Sequence, residues 1–170
     1  GAEGVMVPAV EPVAQAEAIA AACRYPPKGR RGAAFTLARA ADYGARGEDY
    51  ARTIGDNLLV ICQIESEAAI AQAQAIGAVD GIDMLFVGPL DLSGNVGRLG
   101  QFDDAVVRDA VARAEAAIKA SGTWLGGIDP EPGGGRRLLE RGYDFAVVAA
   151  DALLIRDGAA AAISQSRYQD

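Results

Sequence analysis

Apolar positions along the chain follow two alternating patterns. Gly4–Val10, Leu58–Ile64, Met84–Val87, Trp124–Ile128 and Asp144–Ala149 are short apolar runs without a helical repeat. Such runs predict strands buried on both faces, the form taken in parallel sheets. Between them, Val13–Cys23, Glu48–Ile54, Ser66–Ile76, a stretch from Asp103 or Asp104 to Ala120, Pro130–Glu140 and Ala152–Ser164 predict helices. Ser66 and Asp151 stand where N-caps belong, and Gly142 where a helix stops. Phe35–Ala41 predicts a further helical turn. Strand and helix alternate throughout, which defines an α/β fold, read as one domain over residues 1–170. No G-x-G-x-x-G opens a helix after the first strand, so a dinucleotide fold lacks support.

Two segments escape the alternation. Residues 28–47 form a long polar stretch containing Lys28-Gly29-Arg30-Arg31-Gly32. That cluster is read as a holder of an anionic substrate, or else as a solvated loop or subunit contact. Ser93–Gly100 is glycine-rich and predicts an irregular rim loop that could cover a ligand.

Candidate chemistry lies at the ends of two predicted strands. Met84–Val87 is stopped by Gly88-Pro89, and the carboxylate Asp91 follows at once. The upstream strand ends Gln63-Ile64-Glu65, with Gln63 and Glu65 on one face because side chains alternate. If these strands are parallel neighbours, Glu65 and Asp91 converge at the rim where α/β folds build their sites. Two acids there repel unless a cation or a proton sits between them. A hard divalent cation fits oxygen ligands, and a proton shared for acid/base work is the alternative. Structural roles also account for each acid: Glu65 as a helix N-terminal charge and Asp91 as a cap.

Composition narrows the choices. The chain has 170 residues, is 51% apolar and 23% charged, and carries a net charge of −7. It can build a core, and the acidic balance disfavours nucleic acid or an anionic membrane as partner. No apolar run is long enough to span a bilayer, and no leader is read at Gly1-Ala2-Glu3-Gly4. Cys23 and Cys62 have no metal spacing and are expected as reduced thiols of a cytoplasmic protein. The sequence contains no histidine. Ser-His-Asp and Cys-His catalysis are therefore closed to it, leaving a carboxylate, Lys, Tyr, Cys or metal-bound hydroxide as base.

Gly4-Val5-Met6-Val7-Pro8, Arg24-Tyr25-Pro26-Pro27-Lys28-Gly29-Arg30-Arg31-Gly32, Gln63-Ile64-Glu65 and Gly88-Pro89-Leu90-Asp91-Leu92-Ser93 occur in this order. Together, and through Gly142-Tyr143-Asp144-Phe145, they resemble the HpcH/HpaI aldolase family of metal-dependent class II pyruvate aldolases. The resemblance implies a TIM barrel that cleaves or forms a carbon–carbon bond between pyruvate, as its enolate, and an aldehyde, and that assembles as a homo-oligomer, trimer or hexamer. It implies Glu65 and Asp91 as ligands of Mg²⁺, Mn²⁺ or Co²⁺, and Gln63 as a contact to the 2-oxo acid. Gly88, Pro89 and Leu90 would line its carboxylate site through the main chain. The family's base histidine and pyruvate-binding arginine lie on the first barrel strands, and neither is carried onto a residue here; Arg31 is a conceivable stand-in for the arginine. The chain begins where the family's fourth strand would begin, so the expected fold is a partial (β/α)₈ barrel of about five parallel strands. Its uncovered edges and interior would call for a partner. The competing expectations are an assembly module without turnover and a relative acting on malyl or citramalyl thioesters.

Overall fold

The computed structural model describes residues 1–166. The strands β1 (Gly4–Val7), β2 (Leu59–Ile64), β3 (Met84–Val87), β4 (Trp124–Ile128) and β5 (Phe145–Val147) form one sheet in the order β1-β2-β3-β4-β5. Every neighbouring pair is parallel. Helices α1 (Val13–Cys23), α2 (Gly47–Asn57), α3 (Glu67–Gly77), α4 (Pro89–Asn95), α5 (Ala105–Ser121), α6 (Gly134–Glu140) and α7 (Asp151–Ser166) complete the alternation.

The central strand is buried along its whole length, as a run without polar positions requires. Its side chains divide between two faces. Leu85 and Val87 join Val60, Cys62, Ile64 and Leu125 in the main core, together with Ala16 and Ala20 of α1, Ile70 and Ile76 of α3, Ile118 of α5 and Leu138 of α6. Met84 and Phe86 point the other way and cluster with Ile61. Alanine at Ala69, Ala73, Ala110 and Ala114, all buried, lets α3 and α5 pack close against each other.

The inner face is sparsely covered. Met6 is 38% exposed, Phe145 38% and Trp124 55%. Trp124 pairs with Met84 and shares its face. Helix α7 has no buried residue and exposes Leu154, Ile155 and Ile163.

Register is pinned by a repeated device. Asp83 precedes β3 and Asp144 precedes β5. Asp83 accepts from the Val60 N–H at 2.8 Å while its own N–H donates to the Val60 carbonyl. Asp144 does the same with Leu125. Each aspartate follows a Gly-x pair whose glycine has positive φ, 99° at Gly81 and 85° at Gly142, a conformation that favours glycine.

Most elements match their expected positions, although Asp151, expected as a cap, lies inside α7 as its first residue. Ser66 Oγ accepts from Ala69 N–H, and Asp104 rather than Asp103 caps α5. Four expectations are corrected. The first strand stops at Val7 rather than Val10 because Pro8 cannot extend the ladder and Ala9 turns to φ 53°. Helix α6 begins at Gly134 rather than Pro130, since Gly133 takes a left-handed φ of 78°. The segment after Gly88 is helical through Asn95, with Pro89 in its first turn; only Val96–Gly100 is irregular. In place of a helical turn at Phe35–Ala41, turns lead into a kinked 3₁₀ segment, Arg39–Gly44. Both cysteines are free, and burial pushes the Cys62 thiol up to about 11, leaving it a packing residue.

Candidate functional site

Strands β2 and β3 are parallel neighbours, so Glu65 and Asp91 emerge beside each other at the C-terminal rim. Glu65 follows the last residue of β2, and Asp91 sits in the first turn of α4. Both line one open cleft of about 480 Å³, together with Ala9, Glu11, Asn95 and Leu99.

Glu65 is held by both oxygens. Oε2 accepts from the Ala9 N–H at 2.8 Å, and Oε1 accepts from Gln63 Nε2 at 3.0 Å. Alternation on β2 brings Gln63 to the same face as Glu65. The left-handed turn at Ala9, φ 53°, aims the first donor. Gly88 lies against the same carboxylate: a Cβ there would overlap Glu65 Oε1. Burial raises the Glu65 pKa, the Ala9 N–H opposes the rise, and the Asp91 charge adds to it.

That raised pKa has a sign for stability. A carboxylate that binds its proton more readily when folded makes the metal-free chain less stable as pH climbs from the ordinary value of 4.5 through the raised one. Glu65→Gln should therefore raise the melting temperature of the metal-free chain at pH 7, by about 1–3 °C. The gain should vanish near pH 4, where Glu65 itself is protonated. Scanning fluorimetry in chelator at the two pH values checks this.

The remaining expected residues lie around the acids. The Gly88 N–H is used by the Ile64 carbonyl and the Gly88 carbonyl by Leu92 N–H. Pro89 and Leu90 open α4, where the Leu90 N–H has no carbonyl one turn earlier within the helix. The Leu90 carbonyl accepts from Ser93 Oγ at 2.6 Å. Gln63 is placed to act on Glu65 directly.

The basic cluster is engaged elsewhere. Arg31 lies 4.9 Å from the Tyr25 ring centroid and 5.9 Å from that of Tyr50, and donates to the Tyr50 hydroxyl. It does not line the acid cleft. Lys28 lies 3.9 Å from Asp56. Lys28 and Arg24 also border a second cleft, of about 510 Å³, between α1 and the C-terminal end of α3. Arg24 is paired there with Asp80 at 2.6 Å.

Sequence reasoning missed Ala9 and Asn95. Ala9 acts through its backbone, and an alanine in a left-handed turn leaves no trace in composition. Asn95 lay in a segment read as irregular. Among the described residues no three Asp, Glu or Cys side chains cluster as a metal cage. Two carboxylates nevertheless suit a cation such as Mg²⁺, which keeps several waters and takes few protein ligands.

The chain belongs to the HpcH/HpaI aldolase/citrate lyase family, whose model matches residues 1–157. It is 38% identical over 167 residues to a hydroxypyruvate/pyruvate aldolase of Delftia acidovorans, covering 98% of this chain and 62% of that protein. It is 34% identical over 157 residues to a 2-keto-3-deoxy-L-rhamnonate aldolase of Shigella sonnei, covering 92% and 58%. The solved structure of an HpcH/HpaI aldolase/citrate lyase family protein from Burkholderia cenocepacia superposes with a TM-score of 0.89 at 34% identity, covering 99% of this chain and 66% of that one. The sheet is thus a half-barrel of the family's fold, and the chain spans about 62% of the length of the Delftia relative.

Proposed function

We propose that this chain carries the cation-holding part of an aldolase that cleaves 4-hydroxy-2-oxo acids to pyruvate and an aldehyde, or runs the reverse condensation. The observation behind this reading is the pairing of a half-buried Glu65, fixed by two donors, with Asp91 across one cleft. Family membership and the names of the related aldolases support the same reaction class.

In this reading Glu65 and Asp91 hold Mg²⁺, Mn²⁺ or Co²⁺. The cation supplies Lewis-acid stabilisation of negative charge developing on the 2-oxo oxygen. Gln63 and the Ala9 N–H aim the Glu65 carboxylate. The main chain at Gly88, Pro89 and Leu90 borders the place of the 2-oxo acid carboxylate. In the cleavage direction the C4 hydroxyl loses its proton, the C3–C4 bond breaks, and its electron pair moves towards the 2-oxo group. The proton goes to a general base. We place the protein in the cytoplasm as a homo-oligomer; among the described residues no helix is long and apolar enough to cross a membrane.

The exposed apolar inner face favours a second reading, in which the chain is an assembly module without turnover. A coupled assay separates the two. Pyruvate released from a 4-hydroxy-2-oxo acid by the purified chain with Mn²⁺, and halted by chelator, would overturn the assembly reading. Saturable metal binding with no pyruvate, from a chain that runs as an oligomer in light scattering, would favour assembly. Release from malyl or citramalyl thioesters alone would instead move the substrate class.

A further inference from the structure

The two acids sit on separate elements, and one side-chain contact joins those elements across the rim. Glu65 is followed two residues later by Glu67, the first residue of α3. Asp91 lies on α4 with Asn95 one turn further on, the spacing that puts two side chains on one helix face. The Glu67 N–H donates to Asn95 Oδ1 at 3.0 Å, a link across 28 residues of sequence. Asn95 also lines the cleft that holds both acids. A short circuit results: Glu65 to Glu67 along the backbone, across one hydrogen bond to Asn95, and back along one helical turn to Asp91.

The α3 side of this circuit is well anchored. The Glu67 carboxylate accepts from Arg113 of α5 at 2.6 and 2.7 Å. Ser66 accepts from the Ala69 N–H and donates to Glu11 at 2.7 Å. Glu65 is fixed to β1 through Ala9. Leu92, wholly buried in the core, and the Gly88 N–H on the Ile64 carbonyl fix where α4 starts; the Asn95 amide at its last residue adds the tie to α3.

We propose that Asn95 is a positioning residue that sets the separation of Glu65 and Asp91, and so selects a small, geometrically strict cation over a large one. This rests on the cation reading above. Mg²⁺ demands near-ideal octahedral geometry, whereas Ca²⁺ accepts six to eight oxygens in a looser arrangement. Slackening the pair should therefore penalise Mg²⁺ more than Ca²⁺. Groups that orient metal ligands typically contribute about 10- to 100-fold in affinity.

Calorimetric titration of the full chain with Mg²⁺ and with Ca²⁺ tests this on three proteins. Asn95→Leu keeps the branched outline, though bulkier, and removes the acceptor; its Mg²⁺ affinity should fall about tenfold while its Ca²⁺ affinity falls less than about threefold. Asn95→Asp keeps the acceptor and should bind Mg²⁺ at least as tightly as wild type. Equal weakening for both ions, no weakening in Asn95→Leu, or loss in Asn95→Asp as large as in Asn95→Leu would each overturn the assignment. A wild-type chain that binds neither ion overturns the cation reading itself. Wild-type binding with Asn95→Leu unchanged overturns only the role of Asn95.

Discussion

Asp91→Asn should weaken Mn²⁺ or Mg²⁺ binding on the order of 100-fold, the upper end of what even indirect ligand support is worth, while leaving the fold almost untouched. The two side chains have nearly the same shape, and Asp91 is exposed on the first turn of α4. Losing a negative charge at a helix start costs about 0.3–1 kcal/mol. Against that, the Asp91 charge is one of the causes that raise the Glu65 pKa, so its removal relieves Glu65. The two effects oppose, and the melting temperature should barely move. Mn²⁺ titration followed by electron paramagnetic resonance, beside a thermal melt, separates ligand loss from unfolding. Unchanged affinity would refute the proposed metal pair.

Gly88→Ala should damage both the site and the fold. Gly88 has φ −97° and ψ 91°, a conformation open to alanine. The penalty is therefore steric. The residue is buried, and an added Cβ meets Glu65 Oε1 and its neighbouring carbons. Either β3 shifts or the carboxylate swings away from Gln63 and the Ala9 N–H. Overpacking of this kind costs about 1–3 kcal/mol. Metal affinity should fall about tenfold, as when ligand-orienting contacts are lost. A double-mutant cycle in urea with Glu65→Ala checks the cause. Removing the carboxylate should recover much of the stability lost to Gly88→Ala, because the clash has gone. Additive losses would locate the damage elsewhere.

The sequence was most legible where local chemistry and burial agree. Met84–Val87, lacking any polar position, could only be an inner strand, and all of it is buried. Alternation put Gln63 and Glu65 on one face, and the structure bonds them. Ser66 was readable as a cap because a short hydroxyl precedes an apolar periodic run. Helix α4 was obscured by Gly94 and Gly97, although Pro89 in a first turn was the available signal. The Gly-x-Asp before β3 and β5 is another usable signal, since those aspartates pin register. The Ala9 contact could not be read at all. It depends on a backbone angle and a partner 56 residues away, and tertiary structure alone supplies both.

The contacts that fix Glu65 and tie α3 to α4 come from the loop after β1, from β2, and from α3, α4 and α5. The loops that follow β4 and β5 contribute no side chain to these contacts. Insertions or substitutions in those loops would leave the hydrogen bonds that hold Glu65 intact. The molecule thus divides into a half that anchors the two acids and a half whose loops are free to change without touching them.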